Sequence, residues 1–146
     1  MRILIYLILL LYPFNLISGQ KKQKRLSDDE LMTLVQKQTF RYFWDFAHPE
    51  SGLAHERSNG GAETATIGGS GFGVMAIIVG IERGFITREQ GAERILKFFL
   101  FLSDKYTDSY HGMWAHWMNG KTGKTIPFSR KDDGADIVES AFMFEG

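Results

Sequence analysis

The sequence predicts an all-α, layered domain, and three observations carry that reading. Two capping boxes, Ser27-Asp28-Asp29-Glu30 and Thr87-Arg88-Glu89-Gln90, each lead into apolar residues at roughly helical spacing. A segment that is apolar on every side, Gly71 to Ile81, lies between them, and glycine-rich stretches rather than period-two alternation separate the parts. An outer-type helix alternates with an inner-type one, which fits a bundle or a helical toroid and does not choose between them.

The first helix is expected from about Asp28 to Ala47, with Leu31, Leu34, Val35, Phe43 and Phe46 on its apolar face and Pro49 ending it. Ser51 to Ser70, containing Gly60-Gly61 and Gly68-Gly69, reads as a long loop, and long loops inside compact domains are often functional. Gly71 to Ile81 follows as a buried helix with no solvent face. Gly84 punctuates, and Ala92, Ile95, Leu96, Phe99 and Leu102 form the stripe of the next, amphipathic helix. Met113 to Met118 is short and aromatic, and with Asn119-Gly120 and Thr122-Gly123 it predicts an extended or hairpin segment before Pro127. Helix is expected to return after Gly134 through Ile137, Val138, Ala141, Phe142 and Phe144. The apolar Ala141-Phe142-Met143-Phe144 has no following element to pack against, so the chain reads as truncated.

Composition narrows the function classes. The 146 residues carry 17 Lys and Arg against 17 Asp and Glu, for a formal net charge of zero, and the basic run Lys21, Lys22, Lys24, Arg25 is short. Such a chain exerts no long-range attraction on nucleic acid, so no nucleic-acid partner is expected. Met1-Arg2 followed by Ile3 to Leu11, then Pro13, Asn15 and the small pair Ser18-Gly19, predicts a secretory signal peptide over residues 1–19 and a short basic linker over 20–26. The apolar run is too short for a membrane span, which needs about 20 residues. With no cysteine, export implies neither a lipid-bearing thiol nor disulfides, and the expected location is periplasmic or secreted, with no membrane association after cleavage.

The residues with chemical potential gather late in the chain. If residues 132–139 are helical, Asp132, Asp136 and Glu139 stand at i, i+4 and i+7 and converge on one face. Crowded carboxylates are relieved by a raised pKa, a bound cation or a cationic neighbour such as Arg130 or Lys131, and the first makes a carboxylic acid able to donate a proton near neutral pH. An ordinary acidic first turn gives the same letters. The apolar residues that follow and the aromatic residues upstream favour the catalytic reading. Trp114, Trp117 and Tyr110 offer flat faces for sugar rings, and His111, His116 and Asn119 offer hydrogen bonds to hydroxyls, although either tryptophan serves equally well as core. No His-x-x-x-His or cysteine spacing supports a zinc site. Gly68-Gly69-Ser70-Gly71 lacks the preceding strand and following lysine of a phosphate loop. Asp45, Glu56 and Arg57 are weaker candidates for the same cleft.

Five ordered segments then resemble the bacterial glucoamylase-like domain family, which includes the endo-β-1,2-glucanases of glycoside hydrolase family 144. They are Gln38 to Phe46, Thr66 to Gly73, Gly84 to Arg88, His116 to Gly120, and Asp132 to Glu139. The resemblance runs from about Ser27 to the last residue, making 27–146 the N-terminal part of such a catalytic domain. It implies an (α/α)6 toroid with a central cleft that hydrolyses β-1,2-glucan with inversion and needs no cofactor or metal. It also implies catalytic carboxylates among Asp132, Asp136 and Glu139, with Glu139 or Asp136 leading. Trp114, His116, Trp117, Asn119 and Asp133 are the substrate-binding candidates. Ala135 stands where the family commonly has a second glycine, and the family's domain is much longer than this chain. An exo-acting or α-glucosidic glucoamylase-like enzyme, a non-catalytic sugar-binding protein and an inactive remnant remain as alternatives.

Overall fold

A computed structural model describes residues 25–146, so the expected signal peptide over 1–19 and most of the linker lie outside the described residues. Four helices and a small sheet follow in the order α1 (Asp28–Trp44), β1 (Thr64–Thr66), α2 (Ile67–Glu82), α3 (Arg88–Leu102), β2 (Trp117–Asn119), β3 (Thr125–Ile126) and α4 (Ile137–Glu145). Both capping boxes form. The Ser27 hydroxyl accepts from Glu30 N–H while the Glu30 carboxylate accepts from Ser27 N–H, and Thr87 and Gln90 repeat the arrangement. Helix α1 stops at Trp44, short of the expected Ala47, because the chain commits to a turn in which His48 N–H donates to the Leu53 carbonyl and Gly52 N–H to the His48 carbonyl.

Strand β1 and the first turn of α2 occupy residues expected to be loop. Gly68, Gly69 and Ser70 are helical because, in this helix, glycine is a contact surface rather than a break. A Cβ on Gly71 would lie 2.0 Å from the Phe142 carbonyl oxygen, and one on Gly80 would lie 2.4 Å from the Phe40 ring. The helices pack closer there than a methyl group allows. Helix α2 is also not covered all round, since Phe72, Met75, Ile78 and Val79 are exposed. In α3 the buried line is Gly91, Phe98 and Leu102 with Ile95 packed against it, whereas Leu96 and Phe99 of the expected stripe are exposed. The true line keeps helical spacing but starts on a glycine, which a reading by apolar side chains passes over.

The aromatic segment forms the expected hairpin, β2 with β3, and β1 adds to its other edge to give an antiparallel sheet of order β1-β2-β3. Ala65 pairs with Met118 and Trp117 with Ile126. The all-α expectation is thus modified by three short strands. Leu53, Ala65, Ile67, Val74, Ile77, Phe98, Leu102, Met118 and Met143 form one core joining α2, α3, α4 and the sheet. Helix α4 starts at Ile137, later than expected, because the preceding backbone is used in pairing. Ser129 pairs with Asp132, Ala115 with Ala135, and Asp136 N–H donates to the Trp114 carbonyl. Among the described residues no helix is long and apolar enough to cross a membrane.

Candidate active site

Helices α2 and α4 cross with their N-terminal turns together, and the crossing brings one carboxylate to two helix ends. Thr66 is the N-cap of α2 but makes no side-chain capping bond to its own helix. Instead Glu139, in the first turn of α4, reaches across. Its Oε2 accepts from Gly68 N–H at 2.8 Å and from the Thr66 hydroxyl at 3.3 Å. Free N–H groups and aligned peptide dipoles make helix N-termini favourable places for negative charge, and Glu139 lies at two of them. A Cβ on Gly68 would lie 2.6 Å from that oxygen, so glycine is what admits the carboxylate. Ser70 braces the turn by donating to the Thr66 carbonyl at 2.6 Å and accepting from Ala54 N–H.

Asp136 is the N-cap of α4. Its Oδ1 accepts from Val138 N–H at 2.8 Å and from Glu139 N–H at 3.1 Å, leaving Oδ2 at 3.4 Å from His116 Nδ1. The same imidazole nitrogen is 3.9 Å from Glu139 Oε1. His116 leads into β2, and its ring packs on Phe128 with centroids 4.4 Å apart. The three polar side chains are partly exposed, at 25% for His116, 20% for Asp136 and 15% for Glu139. One imidazole nitrogen thus stands between the two carboxylates. Glu139 keeps Oε1 clear of the helix-end hydrogen bonds that tie down Oε2.

Of the candidates read from sequence, Asp136, Glu139 and His116 come together. Asp132 does not share their helix. It sits in the turn closed on Ser129, five residues before α4 begins, so the i, i+4, i+7 argument holds only for the last two carboxylates. Asp133 is exposed in the same loop. Trp114 is built into the core edge, its Nε1–H donating to the Leu102 carbonyl at 3.3 Å and its ring 5.4 Å from Phe144. Asn119 spends Oδ1 on the hairpin, accepting from Lys121 and Thr122 N–H. Tyr110 and His111 lie exposed in a tight turn where His111 has φ +52°. Asp45 pairs with Arg41 at 2.7 Å. Trp117 does line an opening, a cavity of about 290 Å³, together with Glu56, Arg57, Asn59, Thr64 and Ile126. Thr66, Gly68 and Phe128 were not foreseen. The signal for the first two was a threonine before Gly-Gly at the start of an apolar helix.

No protein-family model matches the chain. Over 122 residues, 83% of this chain, it is 48% identical to the exo β-1,2-glucooligosaccharide sophorohydrolase of Parabacteroides distasonis, and it spans 17% of that curated relative's length. Among solved structures, it is 93% identical, with a TM-score of 0.82, to a protein of Bacteroides uniformis provisionally named a glucoamylase. It is 50% identical, with a TM-score of 0.75, to an endo-β-1,2-glucanase of Chitinophaga pinensis solved with sophorotriose and glucose. The matches cover 84% and 82% of this chain and 30% of each of those two.

Proposed function

This chain belongs to the glucoamylase-like family of the β-1,2-glucanases, and on that premise we propose that it is the N-terminal portion of an exported glycoside hydrolase acting on β-1,2-glucan. In the whole protein its helices form the first part of an (α/α)6 toroid, and the exposed apolar side of α2 faces further helices. The observation that carries the catalytic reading is the placement of Glu139, whose Oε2 is fixed by Gly68 and Thr66 while Oε1 faces His116. We assign Glu139 as a reacting carboxylate and Asp136, through His116, as the group that positions it. Hydrolysis with inversion needs a second carboxyl group about 6.5–9.5 Å away to leave room for water. That group comes from the part of its relatives' length that this chain does not span. The leader-like residues 1–19 support a periplasmic or secreted location.

The test is reducing-sugar release from β-1,2-glucan by this chain carried in a protein of its relatives' full length, with laminarin and starch as controls. Glu139→Gln is expected to lower turnover by about a hundredfold or more, the usual effect of losing a proton-transferring side chain. Turnover unchanged in that variant removes Glu139 from the chemistry. A second reading, hydrolysis of α-linked glucan, is favoured by the provisional glucoamylase name of the 93% identical protein. Release from starch alone would establish it.

A further inference from the structure

We propose that Asn59 is a site of spontaneous deamidation, and that the fold directs this reaction to Asn59 and away from Asn119. The chain has two Asn-Gly pairs, Asn59-Gly60 and Asn119-Gly120. Asparagine is a thermolabile residue, and a following glycine exposes it most, because a backbone nitrogen with no Cβ beside it can approach the side-chain carbonyl closely. By their letters the two sites are equal, and the structure separates them. Nothing in this chemistry depends on the sugar the protein acts on.

The reaction uses only the chain and water. The Gly60 nitrogen attacks Asn59 Cγ, an N–Cγ bond forms, and the Cγ–Nδ2 bond breaks. Nδ2 leaves as ammonia, carrying the proton that Gly60 N–H gives up. Water then adds to either carbonyl carbon of the cyclic imide. Opening at Cγ gives aspartate on the original backbone, and opening at the Asn59 main-chain carbonyl gives isoaspartate, whose backbone runs through the side chain. Nothing is oxidised or reduced.

Asn119 is locked against this path. It ends β2, and Gly120 after it is buried. Its Oδ1 accepts from Lys121 N–H at 3.0 Å and from Thr122 N–H at 2.9 Å. The attacking atom is engaged as well, since Gly120 N–H donates to the Glu63 carbonyl at 2.8 Å. The buried His48 ring lies against Gly120, where a Cβ would stand 2.5 Å from the imidazole. Reaction at Asn119 therefore requires the loss of three hydrogen bonds and movement of Gly120 against a packed ring. Asn59 has none of this. It lies in the exposed turn between α1 and β1, and its side chain holds no hydrogen bond among the described residues. Gly60 N–H makes one long bond, 3.3 Å to the Arg57 carbonyl, and Gly61 follows it, so the turn can reorient with little steric hindrance. Conversion takes the chain from 17 acidic residues against 17 basic ones to 18 against 17. The new carboxylate stands beside Arg57, whose guanidinium is paired with Glu56 at 2.9 Å, and offers it a second anion in the same loop.

The experiment is peptide mapping by mass spectrometry of this chain carried in a protein of its relatives' full length. The protein is incubated at mildly alkaline pH in heavy-oxygen water, folded in one arm and unfolded in urea in the other. Digestion is done in ordinary water, so the label marks only conversion during the incubation. In the folded protein Asn59 is expected to convert at least about tenfold faster than Asn119, and in urea the two rates should come within a few-fold of each other. Gly60→Ala should slow conversion at Asn59 by about tenfold, its Cβ meeting only the exposed Arg57 side chain, at 3.0 Å. Comparable rates in the folded protein, faster conversion at Asn119, or no conversion at Asn59 until urea is added overturns the assignment. An unchanged rate at Asn59 in Gly60→Ala excludes attack by the backbone nitrogen and overturns it as well.

Discussion

Replacing Gly68 with alanine is the sharpest test of how the carboxylate is held. The new Cβ would stand 2.6 Å from Glu139 Oε2. A carbon and an oxygen settle no closer than about 3.3 Å, so the carboxylate must retreat by roughly 0.7 Å. The Gly68 N–H bond to Oε2, 2.8 Å long, is then stretched or lost. A misplacement of about 1 Å in a reacting group costs about a hundredfold, and this smaller one should cost between about tenfold and a hundredfold in kcat/KM. Stability moves less, because the loss of a hydrogen bond to a charged group, about 1.5–3 kcal/mol, is partly offset by the better helix propensity of alanine, up to about 1 kcal/mol. Gly73→Ala is the control. It lies on the same helix, and its Cβ would meet the Phe43 ring at 3.2 Å, away from Glu139. The assay pairs β-1,2-glucan hydrolysis by the full-length form with urea unfolding of each variant. Full activity in Gly68→Ala, or equal losses in both variants, would refute the claim that Gly68 positions a reacting carboxylate.

Two further outcomes follow from the same structure. Trp114→Phe keeps the ring beside Phe144 but removes the Nε1–H donated to the Leu102 carbonyl, so stability should fall by about 0.5–1.5 kcal/mol in urea unfolding while affinity for glucooligosaccharides is unchanged; weakened affinity at full stability would restore Trp114 as a sugar platform. Asp108 accepts from Lys124 Nζ at 2.9 Å and from Thr125 N–H at 2.9 Å, and these bonds, the Lys124 one foremost, hold its carboxyl below the ordinary carboxylate range. The native state therefore releases that proton more readily than the unfolded chain, and the stabilisation is present above the unfolded value and lost as pH falls toward the folded one. Asp108→Asn should flatten the acid side of the stability profile, by a small amount because the pair is largely exposed to solvent. An acid side as steep as before would exclude Asp108 as a contributor.

What could be read in advance divides along a physical line. Capping boxes are local, since four residues contain both partners, and Ser27 with Glu30 and Thr87 with Gln90 form as read. The β2–β3 hairpin is also local, marked by Asn119-Gly120 and closed by the Asn119 side chain. The misreadings fall where a residue's meaning depends on a distant partner. Gly68 to Ser70 look like loop until α4 is placed against them, because what Gly68 offers there is the absence of a Cβ facing Glu139. Asp132 looks like part of a helical trio until the pairing of Ser129 with Asp132 and of Ala115 with Ala135 takes the backbone before α4. Trp114 and Trp117 are three residues apart and indistinguishable by composition, yet one is tied to Leu102 and the other lines a cavity.

The crossing of α2 and α4 joins folding and the proposed chemistry in one contact. Gly68 and Gly71 are three residues apart and lie on one side of α2. Gly71 meets the backbone of Phe142 and Met143, where no side chain can yield, and so sets how closely the helices approach. Gly68, one turn earlier, meets the Glu139 carboxylate, one turn before Phe142 on α4. The spacing fixed at the backbone contact is thus passed directly to the carboxylate, with no flexible segment between them. A carboxylate carried on a loop would have to be held by its own network of bonds. Here the close packing that buries Val74 and Met143 already determines where Glu139 sits, and Thr66, Gly68 and His116 have only to orient it.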